Sequence, residues 1–255
     1  MPKINIYVKL FKYKNIIFVN NIIFDMLNIA PIIGTIFYLY LSKMLKNSYC
    51  NLNNKIAKSK SLYYFTIIHN MTLTTFSFYT FISLCGVIFN QGILSGHVIF
   101  MSQPYIKNLI FWFYISKYYE YFDTFLLYLK GRNPIFLQKY HHIGAVICWH
   151  LCYIHDVDII IYGSLLNSGV HSIMYFYYLL TLFKINIRGM RMYITTLQIL
   201  QLIVGGISGL YYYYPPIETK YNYGIIIFFN LYIAGLVYLF GEFMFLNYFY
   251  KKIDR

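Results

Sequence analysis

Three short runs between Lys117 and Tyr178 concentrate polar and titratable side chains in a stretch that is otherwise aromatic and aliphatic. They are Lys117-Tyr-Tyr-Glu120-Tyr-Phe-Asp123-Thr124, Gln138-Lys-Tyr-His141-His142, and Asn167-Ser-Gly-Val-His171-Ser-Ile-Met174-Tyr175-Phe-Tyr177-Tyr178. Each belongs to a hydrophobic segment long enough to cross a bilayer. An ion at the centre of a membrane helix costs about 2.5–3.5 kcal/mol, so Lys117, Glu120 and Asp123 together cost roughly 7–10 kcal/mol. The surrounding Leu, Ile, Phe and Trp side chains return on the order of 5–6 kcal/mol. Ions placed there must face protein or a water-filled cavity.

The spacing says which chemistry each run can support. Lys117, Glu120 and Thr124 fall at i, i+3 and i+7, with Asp123 three residues after Glu120, so the set is expected on one side of its helix. Such a set either staples helices together through a Lys–carboxylate pair or builds a polar site. His141 and His142 stand about 100° apart around a helix axis and meet different neighbours. A neutral imidazole is a competent base or nucleophile near neutral pH. Asn167, His171, Tyr175 and Tyr178 recur at i, i+4, i+8 and i+11, a stripe of hydrogen-bonding groups that lines a cavity or joins helices. Thr195, Gln198 and Gln201 repeat at spacing three, which alone is ordinary interhelical hydrogen bonding.

The elements that must position these groups are transmembrane helices. The chain has 255 residues, 59% hydrophobic and 11% charged, which excludes a soluble domain. Seven apolar runs are expected as spans, at 29–46, 62–89, 106–129, 140–155, 158–183, 192–214 and 224–249. The expected fold is therefore all-α, a single polytopic domain over 1–255. It comprises an N-terminal segment 1–28, a seven-helix bundle 29–249 and a tail 250–255.

Loop charge sets orientation. Segments 43–60, 130–139, 184–191 and the tail carry 14 of the 21 Lys and Arg, whereas 90–105, 156–157 and 215–223 hold only Lys220. The basic side is cytoplasmic, so the C-terminus is cytoplasmic and the segment 1–28 lumenal, against the pull of its own lysines. The net charge of +13 follows from topology, and no nucleic-acid partner is expected. With 31 Tyr in the chain no lone Tyr is a signal. Cys148 and Cys152 read as buried free thiols. His69, His97, His150 and His155 form no box with the adjacent pair, so a membrane di-iron centre fails on histidine count and no metal is expected.

In their order, the runs resemble the boxes of the ELO family of very-long-chain fatty-acid elongases. Lys117-x-x-Glu120-x-x-Asp123-Thr124 is similar to the first box and Gln138-x-x-His141-His142 to the histidine box. His171-x-x-Met174-Tyr175-x-Tyr177-Tyr178 and Thr195-x-x-Gln198-x-x-Gln201 are similar to the third and fourth. Gln138 stands where many members have histidine, a variant similar to that of elongases acting on polyunsaturated chains. The resemblance implies a bundle enclosing an acyl-chain tunnel. It also implies condensation of a long-chain acyl-CoA with malonyl-CoA to a 3-ketoacyl-CoA, releasing CO2 and CoA, with no cofactor.

Under that reading no Cys or Ser has a recognisable activating partner, whereas imidazole forms a reactive acyl intermediate. His141 or His171 accepts the acyl group, with His142 and Asn167 orienting or polarising. The other histidine or Gln138 stabilises the enolate. Glu120 and Asp123 fix Lys117 and a histidine. Arg132, Lys139, Lys184, Arg188 and Arg191 either hold CoA phosphates or only enforce topology. Tyr175, Tyr178, Gln198 and Gln201 are the remaining substrate-binding candidates. The resemblance implies the endoplasmic reticulum membrane and a ketoreductase, a dehydratase and an enoyl reductase as partners, and it leaves a homodimer open. A transporter or channel for an anionic or lipid substrate, and a catalytically silent scaffold, are the competing classes.

Overall fold

The structure is a computed structural model and describes residues 28–48, 54–91, 97–213 and 222–250. Among these residues every regular element is helical. In chain order they are α1 (Asn28–Ser48), α2 (Asn54–Ala57), α3 (Lys60–Gln91), α4 (His97–Ser102) and α5 (Pro104–Tyr119). There follow α6 (Tyr121–Leu129), α7 (Phe136–Ile154), α8 (Ile159–Leu182), α9 (Met190–Tyr211) and α10 (Tyr223–Met244), the last continuing as a π-helix over Phe245–Tyr250. All seven expected apolar runs are helical where described. The assignments of the N-terminal segment up to residue 27 and of the tail beyond Tyr250 lie outside the described residues.

Two boundaries differ from expectation. The run 106–129 is two helices, because the Asp123 N–H bonds back to the Glu120 carbonyl at 3.0 Å in a tight turn that interrupts the α-helical ladder. Helix α7 begins at Phe136 rather than at residue 140, so Gln138, His141 and His142 occupy its first two turns. Among the described residues five helices are long and apolar enough to cross a membrane, namely Asn28–Ser48, Lys60–Asn90, Ile159–Leu182, Met190–Tyr211 and Tyr223–Tyr250. Their outward faces expose Ile68, Ile207 and Leu231 by more than 60% each, surface that only lipid would cover favourably. The chain is a multi-pass membrane protein.

One motif ends three of the helices. Gly131 (φ 73°), Asp156 (φ 50°) and Lys184 (φ 61°) take the left-handed conformation after α6, α7 and α8. In each case the next N–H reaches back to the helix: Arg132 to Leu127 O at 2.8 Å, Val157 to Cys152 O at 2.9 Å and Ile185 to Leu180 O at 3.3 Å. These closures satisfy terminal carbonyls that lipid could not. The Tyr63 hydroxyl donates to Leu182 O, setting the start of α3 beside the end of α8. At the opposite end the Met101 N–H donates to Asp158 Oδ1 and Lys107 pairs with Asp156 at 2.8 Å. The turns 130–135 and 183–189 and the start of α3 therefore share the basic end expected from sequence.

The main core joins α5, α7, α8, α9 and α10 through buried Phe113, Trp149, Ile160, Leu202 and Phe229. Helices α7 and α10 approach closely because each offers a glycine to the other's tyrosine. A Cβ on Gly144 would overlap the Tyr232 ring, and one on Gly235 the Tyr140 ring. The same Tyr232 hydroxyl donates to the His141 carbonyl at 3.0 Å, so this seam also places a histidine. Gly144→Ala should therefore lower thermal stability in detergent by about 1–3 kcal/mol. Gly86→Ala, whose Cβ meets nothing within 4 Å, should leave the melting temperature unchanged or raise it.

Candidate active site

Lys117 lies on the last turn of α5, just before the break at Glu120. Its Nζ donates to Glu120 Oε1 at 2.7 Å and to Asn167 Oδ1 at 2.6 Å, and stands 4.1 Å from the Phe113 ring and 5.4 Å from the Trp149 ring. Because Asn167 turns its oxygen to the ammonium, its Nδ2 faces His171 Nε2 at 3.1 Å, and that nitrogen must accept. The imidazole proton then sits on Nδ1, which is 3.4 Å from Glu120 Oε1, an ion-pair distance without hydrogen-bond alignment. Lys117, Glu120, Asn167 and His171 thus close a buried ring across α5 and α8.

The expected one-sided set does not stay on one side. Lys117 and Glu120 face Asn167 and His171 of α8, whereas Asp123 divides its oxygens between His69 Nε2 of α3 at 2.8 Å and the Tyr175 hydroxyl of α8 at 2.6 Å. Thr124 meets the Tyr38 hydroxyl of α1 at 3.0 Å. The turn at Glu120 and the presence of three neighbouring helices spread four side chains over three partners.

The histidine pair divides as its 100° offset requires. His141 faces His171, ring centroids 6.1 Å apart, and makes no side-chain hydrogen bond among the described residues. His142 turns away to Tyr38 and Tyr121. Gln138 directs its amide to Thr124 at 3.4 Å, away from the Lys117 ring. From the stripe on α8, Asn167, His171 and Tyr175 are buried together, while Tyr178 emerges at 42% exposure.

Beside His141 and Lys117 lies a small cavity of about 30 Å³. Asn167 and Gln201 are polar members of its lining, which is otherwise mostly apolar, with Trp149, Gly163, Gly205, Phe229, Tyr232 and Ile233. Gln201 Oε1 has no hydrogen-bond partner among the described residues, while Gln198 reaches Met174 Sδ at 3.2 Å. At the basic end Arg132, Lys184, Arg188 and Arg191 are exposed, Lys139 covers the Tyr128 ring, and Arg191 Nε donates to the Tyr177 hydroxyl at 3.1 Å. Among the described residues no three His, Cys, Asp or Glu side chains cluster as a metal-ligand set.

Sequence reasoning passed over His69, Trp149 and Tyr232. His69 had one available signal, a titratable side chain in the middle of an apolar helix. Trp149 and Tyr232 had none, in a chain so rich in aromatic residues.

Comparison with known proteins supports the family resemblance. "Fatty acid elongase 2" of Trypanosoma cruzi is 33% identical over 177 residues, covering 65% of this chain and 63% of the relative. "Fatty acid elongase sre1" of Dictyostelium discoideum is 36% identical over 153 residues, 55% of each chain. The chain thus spans between about half and two thirds of the length of these curated relatives. The family model described as ELO, GNS1/SUR4 family, matches residues 22–254, nearly the whole sequence. The chain belongs to the ELO (GNS1/SUR4) family.

Proposed function

We propose that this protein is a fatty-acid elongase that condenses a long-chain acyl-CoA with malonyl-CoA. The relatives' names and the family support the reaction class. The observation that carries the reading is the His141 ring, without a side-chain hydrogen bond among the described residues, lining a mostly apolar cavity beside the Lys117–Glu120–His171–Asn167 ring. A thioester carbonyl seated there would have a nucleophile and fixed polar groups beside it, and apolar side chains against which the alkyl chain would lie.

His141 is the acyl acceptor in this proposal, because the Nε2 lone pair of His171 is engaged by Asn167. The neutral His141 ring attacks the thioester carbon, the C–S bond breaks, and the imidazole proton leaves with the CoA thiol. Malonyl-CoA then loses CO2 and its C2 enolate attacks the acyl-imidazole. The C–N bond breaks, the imidazole regains a proton, and a 3-ketoacyl-CoA two carbons longer departs. His171, held through Nε2 by Asn167, would offer its Nδ1–H, which makes no hydrogen bond among the described residues, to the reacting carbonyl as the polarising group. Lys117 neutralises Glu120 and fixes Asn167; His142 and Gln138 support His141 from the α1 and α6 side.

The seven helical segments form seven spans around the acyl cavity, with α5 and α6 acting as one. The basic end lies in the cytoplasm with the C-terminus. CoA phosphates would rest on Arg132, Lys139, Lys184, Arg188 and Arg191, with Tyr178, Gln198 and Gln201 along the path inward. The membrane is that of the endoplasmic reticulum. The product is a substrate for a ketoreductase, then a dehydratase and an enoyl reductase, and the condensation itself draws on no cofactor.

His141→Ala should abolish condensation in folded protein. Mass spectrometry after acyl-CoA alone should find an acyl adduct on His141 of the unsubstituted protein, and turnover retained without His141 refutes the assignment. Gly205 opens onto the cavity, and a Cβ there would meet only Leu166 at 3.9 Å. Gly205→Val should shift products to shorter chains with the turnover of the shortest acyl-CoA preserved, as gas chromatography would report. Arg188→Glu should raise the acyl-CoA KM about tenfold at low salt, with the difference shrinking as salt rises; an unchanged KM would leave Arg188 a topological charge only.

A further inference from the structure

Outside the boxes one histidine is built into the site. His69 lies on α3 with no exposed surface, packed among Phe65, Tyr119, Phe122 and Tyr175, and its Nε2 is 2.8 Å from Asp123 Oδ1. The other Asp123 oxygen accepts the Tyr175 hydroxyl at 2.6 Å. Tyr175 in turn stands edge-on to His171, with ring centroids 5.5 Å apart and planes at 79°. Three helices, α3, α6 and α8, are thereby joined by one carboxyl group whose two oxygens are both occupied. Among the described residues His69 Nδ1 has no hydrogen-bond partner, so the bond to Asp123 is the one that offsets the cost of burying this imidazole there.

We propose that His69 is a positioning residue for the condensation: by donating to Asp123 it aims that carboxyl at Tyr175, and Tyr175 sets the plane of the His171 ring. This rests on the elongase reading above, but the geometry stands apart from it. With His69 donating to Oδ1, the carboxyl cannot rotate without losing one of two short, charge-assisted bonds. Tyr175 is then held at its tip by Asp123 and along its edge by His171. His171 keeps its Nδ1 toward Glu120 and its Nε2 toward Asn167. Removing the His69 donor frees Asp123, which is partly exposed, to turn outward and releases Tyr175. A ring-shaped substitute keeps the packing among Phe65, Tyr119 and Phe122 but not the donor; a glutamine keeps an N–H near the Nε2 position but not the ring.

The test compares His69→Phe, His69→Gln, Tyr175→Phe and the double His69→Phe/Tyr175→Phe variant in the full-length protein in detergent. Two readouts are used: condensation kinetics with labelled malonyl-CoA, and histidine-selective NMR of the imidazole resonances assigned through His171→Gln. The expected result for His69→Phe is a fall in kcat of about tenfold or more with the acyl-CoA KM little changed. His69→Gln should recover most of that loss. The double variant should be no slower than the worse single variant, because both act through Asp123. His171 resonances should move in His69→Phe and return toward their original positions in His69→Gln. Unchanged kcat in His69→Phe, equal losses in the Phe and Gln variants, or additive losses in the double variant would each overturn the proposal. If His69→Phe does not fold, the Gln variant and the Tyr175→Phe spectrum decide it: His171 resonances unmoved by Tyr175→Phe would overturn it. If the unsubstituted protein turns over no acyl-CoA, the elongase reading fails, while the His171 resonances still report whether His69 sets that ring.

Discussion

Lys117 and Glu120 are opposite charges buried side by side in a membrane bundle, and most of the site is arranged to make that tolerable. Removing one partner of such a pair typically costs about 3–5 kcal/mol, because the other is left uncompensated. Each ion therefore recruits further partners. Lys117 takes the Asn167 carbonyl and the faces of Phe113 and Trp149; Glu120 takes the His171 edge. Asn167 has one oxygen and one NH2, so giving the first to lysine commits the second to histidine. A charge balance on α5 thus dictates the protonated nitrogen of a histidine on α8.

That arrangement would be of little use without space beside it, and the space comes from glycines. Gly163 and Gly205 line the cavity without side chains to fill it, while Gly144 and Gly235 let α7 and α10 close against each other. The Tyr232 ring fills the notch at Gly144 and its hydroxyl anchors the His141 carbonyl. One tyrosine thereby seals the bundle, lines the cavity and places the proposed nucleophile. The break at Glu120 has a comparable effect, turning a straight run of polar residues into a fan that reaches α1, α3 and α8.

Much of the helical architecture was legible because hydrocarbon imposes a length and an apolar composition on every crossing segment. The run 106–129 was legible as helix but not as two helices, since the tight turn at Glu120 has no Gly or Pro to announce it. The turn from Gly131 to Pro134 is marked by a glycine and a proline, whereas the equivalent reversals at Asp156 and Lys184 use residues that carry no such signature. At the site, Lys117, Glu120, His141, Asn167 and His171 stood out because polar groups in apolar helices are costly. His69 carried the same signal and was set aside because it belongs to no box. Gln138 was read toward the reacting centre, and its amide instead faces Thr124.

The sequence by itself determined the class of molecule, the end at which its basic residues gather, the family and the short set of side chains able to do chemistry. Each of these depends on composition or on spacing along one helix, which local geometry translates directly. The tertiary structure alone decided which side chains meet: that Asp123 serves His69 and Tyr175 rather than Lys117, that His141 and not His142 lines the cavity, and that the cavity reaches Trp149 and Phe229. Those outcomes depend on the rotation of each helix against its neighbours. That rotation is set by glycine notches, aromatic packing and paired charges on helices far apart in sequence, and one-dimensional periodicity leaves it free.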